Sequence, residues 1–507
     1  MKKKTEQRIF KIGDPNPVHP EKKLMNRRDF ISSGLISFSG MVMAPSIVSL
    51  ILRERAVRAG DAAPGASGSA MPGLCPLLII DCAGGFGLLG NWVGSQVSGS
   101  FKALSSYPGT GLATLVGGVD SSMGAPMAQG VSQVYETLMK ITPVNQADPA
   151  TATQNAADTE FVNALQSGFR MSLIHANTLS DSSSNEVQIA GLASYFGASG
   201  SRLPNGLGTV ASPSAGNSLS AAGLLLPSAA KPVAISSVRT LTQALSYGPA
   251  LANVPTAVVS DLADGLLNLS NTQLGMLSAM NQGDAMSALI NSGFKANKNY
   301  VNPSASMDAR FDADCQAIYG ISPATGENDP MVLEATIVKN ALEGTSGPGV
   351  ITVGGCDYHD GTQTSGDAKD AQIGMVMKRM LQLARKKNKK FALQLITDGG
   401  IYSDPMTRNW RGDDNGHSGM VMAAFDPHAK AVDVLKTHVG NLTSGETTDP
   451  NCLTYNMQNA AQACVLNYLA LNNALNLYTG PMANSLGSAL VPASMIDSLV
   501  ALGPFKS

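Results

Sequence analysis

Charged and aromatic residues are scarce in this sequence, and histidine is rare. Charged residues make up 14% of the 507 positions, aromatic residues 5%, and histidine occurs six times; soluble domains usually have about a quarter of their residues charged. The formal net charge is −2, and no basic stripe follows the N-terminus. The composition therefore excludes a strongly basic surface of the kind that binds nucleic acid, and we expect no nucleic-acid partner.

The six cysteines form no C-x-x-C motif, which excludes the commonest spacing of structural zinc sites. They are Cys75, Cys82, Cys315, Cys356, Cys452 and Cys464. An even number permits disulfides, although a chain of this length does not depend on them for a core. Cys452 and Cys464 flank a helical pattern and are the preferred pair. Cys82 and Cys356 each adjoin a candidate site aspartate, and bonds at these positions would help to fix both turns.

The N-terminal residues resemble a targeting segment rather than part of a fold. Arg27 and Arg28 are followed by Asp29, Phe30 and an uncharged stretch that ends at Leu52. Paired arginines before such a stretch are typical of a twin-arginine export signal, so we predict a signal with a polar leader over residues 1–59. The predicted partner is the twin-arginine translocation machinery, and the predicted location is the periplasm or beyond.

The same stretch is long enough to span a bilayer. Its serine and glycine content makes it weakly hydrophobic, which favours the export signal. Cleavage after Ala59 is the candidate site, but Arg53, Glu54 and Arg55 lie close to it. An uncleaved segment that anchors the protein to the membrane therefore remains open, and it would be the chain's contact with a membrane.

Beyond a linker at residues 60–73, the pattern predicts one α/β domain over residues 74–507. The run "LLIID" is continuously apolar before its aspartate, as in a parallel strand buried on both faces. Further strands are predicted at "FRMSLIHA", "GVITV" and "FALQLIT", and helical patterns alternate with them. We expect a mostly parallel central sheet with helices on both faces and long Gly/Ser-rich insertions, including residues 197–230.

Acidic residues and histidines stand at the ends of these predicted strands. Ligands in open α/β sheets bind beyond the carboxyl ends of the strands, and converging carboxylates and imidazoles suit Zn, Mn or Mg. The candidate metal ligands are Asp81, Asp357, His359, Asp398, Asp414 and His417. Each aspartate has an alternative interpretation as a turn former or helix cap. Ser184 precedes a predicted helix, where a hydroxyl either caps the helix or helps to hold an anion.

The ordered motifs resemble the bacterial family called domain of unknown function 1501, whose members are exported by the twin-arginine pathway and belong to the alkaline phosphatase-like, sulfatase-like superfamily. The resemblance covers residues 25 to about 430. It rests on "NRRDF", "LLIIDCAGGFG", "SDSSSNEVQIAG", "GGCDYHDG", "FALQLITDGG" and "GDDNGHSGMVMAAF". It implies an alkaline phosphatase-like fold and matches Asp357, His359, Asp414, His417 and Ser184 to the family's Asp, His, Asp, His and Ser.

The resemblance also implies a metal-dependent hydrolase of phosphate or sulfate esters, with a small anionic ester as substrate. Asp357, His359 and His417 would hold one metal, Asp81 and Asp398 would hold or support a second, and Ser184 would be the nucleophile. Departures favour an alternative, a catalytically eroded periplasmic binding or scaffold protein. Asn185 and Asn415 stand where the family has histidine, and Gly399 follows Asp398 where the wider superfamily often has histidine.

Overall fold

Three apolar strands lie side by side at the centre of the molecule in the computed structural model. The segment Leu77–Cys82 is buried at all six positions and pairs in parallel with Gly349–Val353 on one side and Phe391–Thr397 on the other. A strand that has neighbours on both edges and helices over both faces meets no solvent, which is why the sequence is apolar without alternation. The predicted mixed α/β class with a mostly parallel sheet is confirmed.

The structure describes the greater part of the domain predicted to follow the linker, and all described residues belong to one unit, Ser67–Ser507. The described residues are 74–104, 118–139, 156–177, 185–200, 203, 206–209, 232–245, 307–356, 363–397, 399–404, 409–411, 415–428, 430, 432–480 and 490–506. The predicted export signal and the predicted linker lie outside them. Among the described helices, none combines the length and the apolar character that crossing a bilayer requires.

Twelve strands are formed by the described residues. They are β1 (Leu77–Cys82), β2 (Val119–Asp120), β3 (Met127–Ala128), β4 (Phe169–Ala176), β5 (Leu207–Thr209), β6 (Val233–Ile235), β7 (Gly349–Val353), β8 (Phe391–Thr397), β9 (Tyr402–Asp404), β10 (Asn409–Arg411), β11 (Ser418–Phe425) and β12 (His438–Val439). Eight of them form the central sheet in the order β12-β4-β11-β8-β1-β7-β5-β6. β11 is antiparallel to both neighbours, and the other neighbouring pairs are parallel.

Eleven α-helices lie within the described ranges. They are α1 (Leu88–Asn91), α2 (Gln133–Met139), α3 (Ala156–Gly168), α4 (Asn185–Tyr195), α5 (Val238–Leu245), α6 (Ala313–Tyr319), α7 (Pro330–Leu342), α8 (Gln363–Lys386), α9 (Met457–Leu471), α10 (Leu475–Thr479) and α11 (Ala493–Leu499). Their ends follow local rules where the cap is described. Asp329, for example, accepts a hydrogen bond from Met331 N before α7, and Pro330 is the first helical residue.

Two apolar cores cover the two faces of the sheet. One core contains Leu78, Ile80 and Cys82 of β1 together with residues of α7 and α8. The other contains Leu77 and Ile79 of β1 together with residues of α4 and α9. Because successive side chains of a strand point to opposite faces, the two cores define an α8 face and an α9 face of the sheet.

Part of the predicted insertion at residues 197–230 belongs to the sheet. β5, Leu207–Thr209, pairs with β7 and β6, and Leu207 is fully buried. A Cβ at Gly206 would lie 2.4 Å from the Pro348 carbonyl oxygen, so glycine permits the close approach of this short strand. The prediction of a surface insertion is wrong for these residues, because three residues among Gly and Ser carry too little periodicity to indicate a strand.

The preferred disulfide pair is also corrected. Cys452 and Cys464 are both free thiols in the structure. Cys464, on the buried face of α9, places its Sγ 3.3 Å from Met420 Sδ. Cys452 precedes a short 3-10 turn and contacts Thr454 Oγ1 at 3.6 Å. Proximity in sequence therefore misled the prediction, because the two thiols have different neighbours.

Candidate functional site

The sheet topology brings the predicted ligand segments to one edge. β7, β1 and β8 are parallel neighbours and end at this edge, and the antiparallel β11 begins there. Asp357 and His359 come after β7 in the sequence, Asp398 after β8, and Asp414 before β11. We call this the site edge. Asp81 and His417 are described there, whereas Ser184, Asp357, His359, Asp398 and Asp414 lie outside the described residues.

Asp81 is the fifth residue of β1 and is completely buried. Its register partners are Thr352 on β7 and Ile396 on β8. Since Leu77 and Ile79 belong to the core of the α9 face, alternation along the strand puts the Asp81 carboxylate on that face. A carboxylate at the end of a central strand, on a face covered by helices, can hold a cation that a ligand or substrate brings.

α4 lies over the same face. Ile189, Ala190 and Ala193 of this helix pack in the core that contains Leu77 and Ile79, and the helix contacts β1, β7 and β8. It follows β4, which ends at the site edge, and Asn185 is its first residue. Ser184 therefore immediately precedes a helix that covers the Asp81 face, as the sequence predicted for this helix start.

Two further hydroxyl groups occupy the site edge, and sequence reasoning missed them. Thr352 is the cross-strand neighbour of Asp81, and Ser418 opens β11 beside Ala176. Alternation places both on the α9 face, because Val350 and Met420 belong to its core. Thr352 Oγ1 and Ser418 Oγ are buried and have no hydrogen-bond partner among the described residues. A single Thr or Ser in an apolar strand is common, so the sequence carried no signal that could have identified them.

His417 ends the short 3-10 helix Asn415–His417 that leads into β11. It is 7% exposed, and its ring packs edge-on against the Tyr402 ring at a centroid distance of 4.8 Å. The Gly416 carbonyl accepts a hydrogen bond from Thr448 N at 2.8 Å, which holds the entry to β11. The imidazole is therefore fixed by an aromatic neighbour and an anchored backbone, as a metal ligand or proton donor requires.

The glycine turn after β1 packs tightly against the segment after β8. Gly84 and Gly85 have φ angles of 102° and 105°, which a residue with a side chain adopts only at a cost. A Cβ at Gly399 would lie 3.2 Å from Gly85 Cα. Phe86 follows, fully buried and edge-on to Trp92, in the core of the α8 face. Phe86 thus lies on the face opposite Asp81 and does not fill the space beside its carboxylate.

On the α8 face, the buried side-chain amide of Asn91 at the site edge is fully hydrogen-bonded. Asn91 Nδ2 donates to Asp370 Oδ2 at 2.7 Å and to the Gly87 carbonyl at 3.0 Å. Its Oδ1 accepts from Ser132 Oγ at 2.8 Å and from Val134 N at 3.2 Å. The four interactions use the full capacity of the amide group. This network gives the buried Asp370 carboxylate of α8 a hydrogen-bond donor, which lowers the cost of burying it.

Two buried histidines outside the predicted ligand set form a stacked pair. The rings of His175 and His438 are parallel within 9° at a centroid distance of 5.6 Å. His438 Nε2 contacts the Val93 carbonyl at 3.0 Å, so this nitrogen carries the proton, since a carbonyl only accepts. Burial lowers the pKa of His438 to about 4 and holds the pKa of His175 well below its ordinary value. Both rings are neutral at neutral pH.

The side chains at the site edge can be compared with those that metal ions bind. Asp81 provides carboxylate oxygens and His417 an imidazole, both of which zinc and manganese accept. Within the described residues, no three His, Cys, Asp or Glu side chains are grouped to hold a metal ion. Asp81 and His417 are side chains of the types that metals bind, and a metal site at this edge would need further donors, for which residues 357, 359, 398 and 414 are the candidates.

The sequence matches no protein-family model, and no curated protein and no solved structure is significantly similar to it. The functional argument therefore depends on the site edge itself.

Proposed function

We propose that the protein is an exported, metal-dependent hydrolase of phosphate or sulfate esters with an alkaline phosphatase-like fold. The observation that carries the proposal is the sheet order. Four segments that the sequence selected independently for their Asp and His residues adjoin the same edge of four neighbouring strands, β7, β1, β8 and β11. Residues that only form turns would follow adjacent and distant strands equally often. Ligands of one metal must follow strands that lie close together.

The metal would be held by carboxylate and imidazole groups at this edge. Asp81 and His417 are the described members, and Asp357, His359, Asp398 and Asp414 are the proposed completion. A divalent ion would supply positive charge that polarises the ester oxygen. The burial of Asp81 supports this role, because a carboxylate in the protein interior favours a cation over water as its partner.

The chain itself would bind and orient the ester. Ser184, before α4, is the proposed nucleophile, and backbone N–H groups at a helix start favour an anion. Thr352 and Ser418 have buried hydroxyls on the same face as Asp81 and can donate to substrate oxygens. The apolar core beneath, with Ile79, Val350 and Ile396, excludes water from the lower side of the site and strengthens each electrostatic contact.

The alternative function is a catalytically eroded binding or scaffold protein. It is favoured by Asn185 and Asn415, which occupy the first positions of α4 and of the 3-10 helix where the resembling family has histidine. An amide cannot replace a neutral imidazole as a zinc ligand of comparable strength. An apolar side chain that filled the site would also favour loss of catalysis. The Phe86 ring does not do so, because it lies on the α8 face.

Metal content and ester hydrolysis together test the proposal. The full chain would be purified after export, its Zn, Mn and Mg measured by mass spectrometry, and its turnover of aryl phosphate and aryl sulfate esters recorded. We expect about one or more equivalents of metal per chain and turnover that Ser184→Ala reduces by at least about 100-fold. Asp81→Asn and His417→Gln should each lower both the metal content and the turnover.

Asp426→Asn is the matched control. Asp426 is also a buried aspartate that follows a strand, but it lies at the opposite edge, because β11 is antiparallel. It should leave the metal content and turnover unchanged. Metal without turnover would favour the scaffold function, and a folded protein with neither metal nor turnover would eliminate the hydrolase.

A further inference from the structure

We propose that Cys82 and Cys356 form an intramolecular disulfide that joins the end of β1 to the turn after β7. The two thiols are free and fully buried, and both belong to the apolar core of the α8 face. The inference does not depend on the proposed hydrolase, because it rests on the geometry of the two cysteines alone.

Backbone hydrogen bonds hold the two residues side by side. Ala83 N donates to the Val353 carbonyl at 3.0 Å, and Cys356 N donates to the Ala83 carbonyl at 3.1 Å. Cys356 Sγ lies 3.1 Å from the Val353 carbonyl oxygen and donates its proton there. Cys82 is the register partner of Val353, so both cysteines lie beside the Val353 residue. A disulfide would require the two sulfurs to reach a bond length of about 2.05 Å.

The other described cysteines lack this arrangement. The Cys464 sulfur contacts Met420 Sδ, the Cys452 sulfur contacts Thr454 Oγ1, and Cys315 lies beside Asp312, whose Oδ1 accepts from Cys315 N. Cys75 is buried beside the Tyr468 hydroxyl, which donates to its carbonyl. Each has a neighbour that cannot form a disulfide. Oxidation should therefore select the Cys82 and Cys356 pair.

Access to the buried pair is provided by the turn that carries Cys356. Gly354 and Gly355 are exposed, and Gly355 has a φ of 70°. A Cβ at Gly354 would meet nothing within 4 Å. A short exposed glycine turn with open space around it opens at low cost in free energy, and this opening presents the Cys356 sulfur to solvent.

The reaction is a thiol–disulfide exchange with a small disulfide such as oxidised glutathione. The Cys356 thiolate attacks one oxidant sulfur, the oxidant S–S bond breaks, and one oxidant thiolate leaves with the mixed disulfide formed on Cys356. The Cys82 thiolate then attacks the Cys356 sulfur and displaces the second oxidant thiolate. The two protein thiols lose two protons and two electrons, and the oxidant becomes two thiols.

The cross-link would change the site edge. It would connect the residue after Asp81 to the residue before Asp357, so it would fix the end of β1 to the turn after β7. A disulfide here also closes a very long loop of chain, for which the restriction of the unfolded state is greatest in the chain-entropy description. The oxidised protein should thus be more resistant to unfolding than the reduced protein.

The test uses the full chain in buffers of graded oxidised to reduced glutathione ratio. Each sample is quenched with acid, denatured and labelled with N-ethylmaleimide, and the mass of the labelled chain is measured by mass spectrometry. In oxidising buffers we expect two labels fewer than the six of the reduced chain, and a digest should contain one peptide pair linked through Cys82 and Cys356. This measurement needs no variant, so a folding defect in a variant cannot obscure it.

Two variants sharpen the test. In Cys82→Ala the linked peptide should be absent, and Cys356 should keep a glutathione adduct in oxidising buffers, because no Cys82 thiolate displaces it. Cys464→Ala, a control that removes another buried thiol, should keep the linked peptide. Six labels on the wild-type chain at every ratio would overturn the proposal. A stable glutathione adduct on Cys356 of the wild-type chain, or a link that joins another pair, would overturn it as well.

Discussion

At the site edge, the two faces of the central sheet treat buried polar groups differently. On the α8 face, Asn91 has four hydrogen bonds, including one to Asp370, and Thr397 Oγ1 lies 2.8 Å from the Gly399 carbonyl. On the α9 face, Thr352 Oγ1 and Ser418 Oγ have no partner in the described part of the chain. Asp81 lies between these two hydroxyls in the strand order.

The difference distinguishes polar groups that stabilise the fold from polar groups that we expect to bind a ligand. A buried hydroxyl that lacks a hydrogen bond destabilises a fold by about 1 to 3 kcal/mol, so polar groups that serve stability are arranged in closed networks like that of Asn91. Open hydroxyls beside a buried carboxylate are better explained by a ligand that completes their hydrogen bonds. The α8 face is thus a support, and the α9 face is where we expect the ligand.

The largest expected effect is loss of the Asn91 network. Asn91→Ala removes four hydrogen bonds and leaves the Asp370 carboxylate and the Ser132 hydroxyl buried without this partner. We expect the free energy of unfolding to fall by about 3 to 5 kcal/mol, measured by urea denaturation. Ser132→Ala, which removes the hydrogen bond to Asn91 and the one from Tyr135 N at the start of α2, should reduce it by about 1 to 2 kcal/mol. Equal effects of the two variants would contradict a shared network.

The next effect is a dependence of stability on pH through the histidine pair. Burial lowers the pKa of His438 from its ordinary 6.5 to about 4, so between these values the unfolded chain binds a proton that the folded protein does not. The free energy of unfolding therefore decreases as pH falls from about 6.5 to about 4, by about 3 kcal/mol for this group.

His438→Gln provides the comparison for the pH effect. Glutamine retains an N–H group for the Val93 carbonyl but does not titrate, so the fall in stability over this pH range should be smaller by about the same 3 kcal/mol. Chemical denaturation at several pH values between 4 and 7 measures it. A variant whose stability falls as steeply as that of the wild type would show that other groups cause the acid sensitivity.

The smallest effect tests the comparison of the faces directly. Thr352→Val removes an open hydroxyl on the α9 face, and Thr397→Val removes a partnered one on the opposite α8 face. We expect Thr352→Val to raise the free energy of unfolding by up to about 1 kcal/mol, because it removes a buried hydroxyl that has no partner, and Thr397→Val to lower it by about 1 to 2 kcal/mol. If Thr352→Val is the more damaging variant, the Thr352 hydroxyl serves stability and not a ligand.

Much of the sheet was predictable from local pattern. β1, β4, β7, β8 and β11 lie at the predicted apolar runs, because strands buried on both faces need continuous apolar sequence. β5 was not predicted, because a three-residue strand among glycines is too short to show a pattern of apolar residues. Asp81 and His417 were found as candidate ligands by their position at strand ends, whereas Thr352 and Ser418 were missed, because a single Thr or Ser in a strand is common and uninformative.

The sequence by itself determined which residues form the strands, since hydrophobic pattern and turn residues act over a few neighbouring positions. It also determined that each candidate ligand group adjoins a strand end. The tertiary structure alone decided the order of the strands, which makes β7, β1, β8 and β11 neighbours. It alone decided that Cys82 lies against Cys356 rather than Cys452 against Cys464, because contacts between residues far apart in the chain depend on how the elements pack and leave no local trace in the sequence.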